Sequence, residues 1–370
     1  MTSSLAIPLQ RLQGKYEILE RLQEGGMGAI YKVRHRLLGE VRVVKLIRPH
    51  LESDPSLKAR FLREARAAAK LSHPNIAQIY DFSVDEDGVA YLVMEFIQGL
   101  TLGELQRTAD ASGELLPLAL VLEIARQSLR AIGHVHAHDI VHRDVSPDNL
   151  MLTRDADGRP LVKLIDLGLA KTIEGTSKLT AAGVFVGKFR YAAPEQFEDA
   201  FEGDRRRSDL YSFGVVLYEL LTGKCPIVGN NPSSLIAGHL FRPPLPFAES
   251  DPRGRVPPHV RRAVVKSLAK RASERFDSAE SFAEALAEDD WDLAAPDVTS
   301  VVESTQKIVR PILPAPRPGS TQSRLDRNFV AEPTPAPEEP PPRPSPATGE
   351  GAAARPGPSP RPSPATGEGA

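Results

Sequence analysis

Between Val141 and Leu150 the sequence VHRDVSPDNL gathers an imidazole (His142), a guanidinium (Arg143), two carboxylates (Asp144, Asp148) and a carboxamide (Asn149). Another carboxylate, Asp166, stands between the apolar run LVKLI and Gly168, at a predicted strand end. Hard divalent cations such as magnesium take oxygen ligands and keep company with phosphates. Asn149 and Asp166 supply one carboxamide and one carboxylate oxygen of that kind. Asp144 precedes Pro147 in a predicted loop, where it could accept a proton from an attacking hydroxyl. Any one of these residues alone reads as an Asx turn; the set in this order does not reduce to that.

Upstream lie the groups that could manage phosphate charge. LQEGGMGAIYKV places Gly25, Gly26 and Gly28 between two strand-like runs. Backbone N–H groups in such a loop can approach phosphate oxygens closely, although a glycine-rich hairpin turn explains the same residues. In VRVVKLI, Val41, Val43 and Lys45 share one face of a strand, and an ammonium there is costly to bury unpaired. Along residues 54–70, Leu57, Phe61, Glu64 and Ala68 recur at three- and four-residue intervals, so Glu64 interrupts an apolar stripe. Lys45 is the natural external partner for Glu64; Arg60 or water is the local alternative.

Elements of two kinds must position these groups. From Tyr16 to about Ile97, YEILERL, AIYKVRH, VRVVKLI, IAQIYDF and AYLVMEF read as strands. They are interrupted by one helix with Asp54 as N-cap and Pro55 at its first position. From about Leu115 the pattern is helical. LALVLEIARQSLRAIGHVHAH is amphipathic; SDLYSFGVVLYELLTG is apolar nearly all round, hence buried, with Gly223 to close it. DSAESFAEALAE opens with an Asp277…Glu280 capping-box spacing. The expected class is α+β with two lobes: a small antiparallel-sheet lobe carrying one helix, and a larger, mainly helical lobe. The cleft between them is a favoured place for a ligand. The expected divisions are an N-terminal extension (1–15), the small lobe (16–97), the large lobe (98–290) and a tail (291–370).

Composition bounds the rest. Roughly half of the 34 prolines crowd into residues 291–370, where apolar clusters are sparse and RPSPATGEG occurs twice, at 343–351 and 361–369. Such a segment reads as disordered, with PxxP spacings that a polyproline-binding partner could use. A net charge of −2 gives no field for nucleic acid. The single cysteine, Cys225, excludes an internal disulfide and a cysteine-rich zinc site. The N-terminus has no signal-peptide core, and no run approaches the roughly 18 apolar residues of a membrane span. A cytoplasmic protein is expected.

Taken in chain order, these residues resemble the protein kinase family, specifically bacterial Ser/Thr kinases, over residues 16–289. QEGGMG is similar to the glycine-rich loop. The resemblance implies that Lys45 holds the α- and β-phosphates of ATP with Glu64 as its helix partner. Val33 and Val43 would line the adenine pocket, Met94 would be the gatekeeper, and Glu95 and Ile97 would offer backbone groups to adenine. His142–Asp144 with Asn149 resemble the catalytic loop, and Asp166–Gly168 the metal-binding element. Asn149 and Asp166 would then hold Mg2+, and Asp144 would orient and deprotonate the acceptor hydroxyl. AAPEQ resembles the end of the activation segment, with Glu195 paired to Arg275; Asp209 would brace the catalytic loop. Arg143 would await a phosphate at Thr176, Ser177 or Thr180, with Thr180 preferred. The implied activity is transfer of the ATP γ-phosphoryl group to Ser/Thr hydroxyls of proteins, with autophosphorylation in the activation segment.

The match departs at Gln23 (in place of a loop glycine), Val43 (alanine), Leu167 (an aromatic), Ser146 (lysine) and Lys188 (threonine). Ser146 keeps a hydrogen-bond donor but loses a charge, a change that can cost about 100-fold in rate. These departures keep a second reading open, a nucleotide-binding pseudokinase scaffold. A third, a small-molecule phosphotransferase of related fold, is opposed by the AAPE element and Arg275, which shape a platform for protein substrates.

Overall fold

The computed structural model describes residues 14–25, 28–47, 55–84, 90–167, 189–198 and 201–287. The expected tail and the activation-segment residues Thr176, Ser177, Thr180 and Lys188 lie outside these, as does Gly26.

The small lobe is built on a five-stranded sheet in the order β1-β2-β3-β5-β4, antiparallel throughout. Its strands are β1 (Tyr16–Gly25), β2 (Gly28–His35), β3 (Val41–Ile47), β4 (Ile79–Val84) and β5 (Ala90–Glu95). Strand alternation divides their side chains between two faces. One face holds a closed cluster of Tyr16, Ala29, Tyr31, Val33, Val44, Leu46 and Val93. The other carries Lys45, with Ile30 and Leu92 directly opposite it, and Val43 opposite Met94. The expected sharing of a face by Val43 and Lys45 therefore holds. Val33 does not line that face: it is three positions from Ile30, an odd separation that turns it into the opposite cluster. Ile30 takes the place assigned to Val33.

Helix α1 (Pro55–Ala68) begins at the proline, as its missing N–H favours. The large lobe opens with a short strand, β6 (Leu100–Thr101), and α2 (Leu102–Ser112). Thr101 and Glu104 close a reciprocal capping box on α2. Helix α3 (Leu118–Ala137) follows, then β7 (Leu150–Arg154) and β8 (Pro160–Leu164), which join β6 in a second sheet. Helix α4 (Arg206–Thr222) is buried on every side from Ser208 to Thr222 and ends at Gly223, whose φ of 70° is the left-handed cap that glycine tolerates. Helices α5 (Pro232–Phe241), α6 (Pro258–Ser267) and α7 (Ala279–Leu286) surround it. The cap of α7 falls one residue later than the sequence spacing predicts. Ser278 Oγ accepts from the Ser281 N–H at 3.2 Å, and Ser281 Oγ faces the Ser278 N–H at 3.3 Å. The Ser–Ser pair makes the reciprocal bonds, so the acidic pair Asp277 and Glu280 is not required.

A continuous apolar core runs from Ala65, Ile79 and Leu92 in the small lobe through α3 and α4 to Phe282. The lobes are also joined by backbone: the Ala77 N–H donates to the Leu164 carbonyl (2.8 Å), and the Leu164 N–H to that of Asn75 (2.9 Å). Asn75 is buried, and its amide donates to Gln127 Oε1 (2.7 Å) and the Val162 carbonyl (2.8 Å). A buried polar side chain needs such partners. No described helix is long and apolar enough to cross a membrane.

Candidate active site

The candidate site is assembled by loops at strand and helix ends. The catalytic-loop candidate, 142–149, is fixed from beneath by Asp209 near the start of α4. Its Oδ2 accepts the His142 N–H and its Oδ1 the Arg143 N–H, both at 2.8 Å, and His136 Nε2 lies 2.8 Å from Oδ2. Arg143 sits at φ 63°, an uncommon backbone region for a non-glycine residue, held there by these bonds. The Asp144 N–H donates to His142 Nδ1 (3.2 Å), and Asn149 Nδ2 to the Asp144 carbonyl (2.8 Å). That bond fixes the Asn149 amide, whose Oδ1 is the atom a hard cation takes. The Ile165 N–H donates to the Asn149 carbonyl (3.0 Å), tying the loop to the segment that delivers Asp166.

On the facing wall, Lys45 Nζ forms an ion pair with Asp166, and the lysine side chain is only 15% exposed. Glu64 approaches Arg143 at 3.7 Å. The expected Lys45–Glu64 pair is therefore not the one present. Asp166 lies directly across the cleft from Lys45, and partial burial favours the nearest opposite charge. On α1, Glu64 instead meets Arg143 of the catalytic-loop candidate.

Beside the ion pair is a pocket lined by Ala77, Ile79, Leu92, Met94, Leu164, Ile165 and Leu167 together with Lys45 and Asp166. Met94 closes it on the β5 side. Glu95 follows; its N–H donates to the Gln78 carbonyl (2.9 Å), which leaves the carbonyl as its group for a ligand. The Glu95 carboxylate accepts from Lys163 Nζ (2.8 Å) and the Gln78 N–H (3.1 Å). Ile97 is buried just beyond. An apolar slot with polar backbone at its rim and an ion pair at one end has the character of a nucleotide site. Asn149 and Asp166, both hard oxygen donors, fit a divalent metal.

The segment 189–198 flanks the catalytic-loop candidate. Gln196 Nε2 donates to the Arg143 carbonyl (3.0 Å) and Gln196 Oε1 accepts the Ala193 N–H (2.7 Å). Glu195, 2% exposed, meets Arg275, 3% exposed, through two bonds of 2.6 and 2.8 Å, and Ser208 Oγ adds a third at 2.6 Å. Burial pushes the Glu195 carboxyl up, but Arg275 and Ser208 outweigh it and hold it below its ordinary value.

Underneath, His239 on α5 is fully buried, with Nδ1 3.0 Å from the Tyr211 hydroxyl and its ring near Phe197. Burial first, then the Lys270 charge, lowers its pKa from 6.5 to about 4. A depressed folded-state pKa means stability that is complete above the unfolded value and lost as pH falls through the folded one. Unfolding free energy should therefore drop by up to about 3 kcal/mol as pH falls from the unfolded value toward the folded one. Urea titrations across that window should show the slope in the wild type and a flatter one in His239→Gln; identical slopes would remove His239 as the cause.

Several of these contacts had no signal in the sequence: Lys163–Glu95, Gln196–Arg143 and Glu64–Arg143 join residues far apart in the chain. His136 was readable only as part of an amphipathic helix.

This fold, with a cleft of this composition, defines a protein kinase domain, and the chain belongs to that family: the protein kinase domain matches residues 16–288. The family uses ATP and a divalent metal. Among characterised relatives, the chain is 35% identical over 271 residues to the serine/threonine-protein kinase pkn3 of Myxococcus xanthus, covering 72% of this chain and 48% of that one. It is 34% identical over 317 residues to the serine/threonine-protein kinase PknB of Mycolicibacterium smegmatis, covering 84% of this chain and 48% of that one. The chain thus spans about half the length of these relatives. Among solved structures, the kinase domain of Mycobacterium tuberculosis PknI superposes with a TM-score of 0.54 at 26% identity, covering 74% of this chain and 95% of that one.

Proposed function

We propose that this chain is a Ser/Thr protein kinase that transfers the γ-phosphoryl group of ATP to hydroxyls of protein substrates. The reading is carried by one observation: Lys45, Asp144, Asn149 and Asp166, widely separated in sequence, converge on one cleft through the Lys45–Asp166 pair and the Asn149–Asp144 and Ile165–Asn149 bonds. Adenine occupies the apolar slot by Met94 and Val43, against backbone groups of Glu95 and Ile97, while Gly25, Gly26 and Gly28 cover the phosphates. Lys45 orients the α- and β-phosphates. Asn149 and Asp166 hold Mg2+, which supplies positive charge for the phosphate oxygens when bound. Asp144 accepts the hydroxyl proton as the oxygen forms its bond to the γ-phosphorus and the bond to ADP breaks. Most of the rate comes from this positioning and charge stabilisation.

Glu64 meets Arg143 in this structure and would pair with Lys45 in the catalytic arrangement. Phosphorylation at Thr180, with Thr176 and Ser177 as further sites, would compete with Glu64 for Arg143. A cytoplasmic place of action accords with the lone cysteine, and the proline-rich segment 291–370 is a candidate docking site for a partner. No observation favours the scaffold alternative.

The test is incubation of the purified chain with labelled ATP and magnesium, alongside Asp166→Asn. Transfer to protein by the wild type and its loss in the variant, at unchanged melting temperature, is the expected result. Nucleotide binding without label on any protein would replace the kinase by a scaffold; label on a sugar or aminoglycoside alone would replace it by a small-molecule phosphotransferase.

A further inference from the structure

Directly before Ala192–Ala193–Pro194–Glu195 stand Arg190 and Tyr191, on the segment that Gln196 anchors to the catalytic-loop candidate. One carboxylate holds both. Glu219, in the interior of α4, takes Arg190 Nη2 on Oε1 at 2.7 Å and the Tyr191 hydroxyl on Oε2 at 2.6 Å. Burial, then the Glu219 charge, raises the tyrosine far above its ordinary range, so it stays a donor. Burial opposes the protonated form of Arg190, and the Glu219 carboxylate outweighs it, so the guanidinium stays protonated.

The exposures within this pair are unequal. The Arg190 side chain is 44% exposed, whereas that of Glu219 is 10% exposed. Both oxygens of the buried carboxylate are occupied by the protein's own donors. The outward face of the cluster is a fixed guanidinium, which carries five N–H donors in a fork suited to carboxylate or phosphate oxygens. Exposed arginines usually spend side-chain entropy on binding an anion; one already held by Glu219 spends less.

We infer that Arg190 is a specificity-determining residue. It binds an anionic side chain (aspartate, glutamate or a phosphorylated residue) flanking the acceptor hydroxyl of the protein substrate. By saturating Glu219, it also denies the platform an acidic subsite for a substrate arginine or lysine. The inference rests on the kinase reading above and specifies its substrate class.

The experiment measures kcat/KM for threonine peptides that carry glutamate, phosphoserine, alanine or arginine at each flanking position, with the full chain, labelled ATP and magnesium. The wild type should favour an anionic over an alanine-flanked peptide by about 10-fold at one or more positions, mainly through KM, since the contact is made before transfer. The glutamate and phosphoserine arms tell carboxylate from phosphate recognition. Arg190→Gln should remove that ratio and raise use of the arginine-flanked peptide, because Glu219 Oε1 is released. Arg190→Lys should keep the sign of the preference. The Arg190→Gln, Glu219→Gln double variant, which leaves no orphaned buried carboxylate, should be indifferent to flanking charge. Ratios between peptides cancel any loss of folded enzyme. Equal use of all peptides by the wild type, a preference for arginine, or an anionic preference that survives Arg190→Gln overturns the assignment while leaving the kinase reading intact. No transfer to any peptide or protein removes both.

Discussion

Asp144→Asn should lower kcat for phosphoryl transfer by about 10²–10⁴-fold, the range over which a positioned general base contributes, with the KM for ATP little changed. The two sides of the residue explain this separation. Its backbone is embedded: the N–H donates to His142 Nδ1 and the carbonyl accepts from Asn149 Nδ2. Neither bond involves the side chain, and asparagine has nearly the same shape, so the loop should keep its form. What is lost is a carboxylate able to take the acceptor's proton and orient its oxygen. Lys45, proposed to face the phosphates, is paired with Asp166 across the cleft and is not disturbed. The check is steady-state kinetics on a threonine peptide, together with a melting curve and nucleotide titration. Turnover within tenfold of the wild type, at equal stability, would take the proton-accepting role from Asp144.

Glu195→Gln should destabilise the fold by about 3–5 kcal/mol, the cost of removing one partner from a buried ion pair. Arg275 is nearly inaccessible, and its guanidinium is placed by Glu195 and by the carbonyls of Arg207, Ala269 and Lys270. The carbonyls cannot neutralise it, so the charge would stay buried and uncompensated. The effect has a pH signature as well. The Glu195 carboxyl is held below its ordinary value; its contribution is therefore complete above the unfolded value of about 4.5 and lost as pH falls through the folded one. Urea unfolding of both proteins at neutral and acidic pH measures it. A loss below about 1 kcal/mol would mean that water reaches the pair.

Much of the architecture is legible in the sequence because periodicity and chemistry point the same way. The valines flanking Lys45 mark a strand with one polar interruption. The near-continuous apolar run of 210–221 can only be a buried helix, and Gly223 ends it. The structure has Asp209 accepting the His142 and Arg143 N–H groups and Glu195 paired with Arg275, residues the sequence motifs single out. Ion-pair partners were less legible. Which cation meets Glu64 depends on where α1 lies over the cleft, a tertiary fact that one-dimensional spacing does not contain. Val33 stands apart for a simpler reason: alternation counted from Lys45 puts Ile30, not Val33, on the lysine's side of the sheet. The Lys163–Glu95 pair was hidden because each residue, read locally, is an ordinary charged strand position.

The backbone bonds between residues 75–77 and Leu164 give the two lobes a common pivot. With Asn75 also clamped to Gln127 and Val162, this stretch of the small lobe travels with the large one. Any movement of one lobe against the other then hinges on these bonds, and Asp166, two residues beyond Leu164, stays close to them. Amide protons at Ala77 and Leu164 should exchange with deuterium only when the whole domain unfolds.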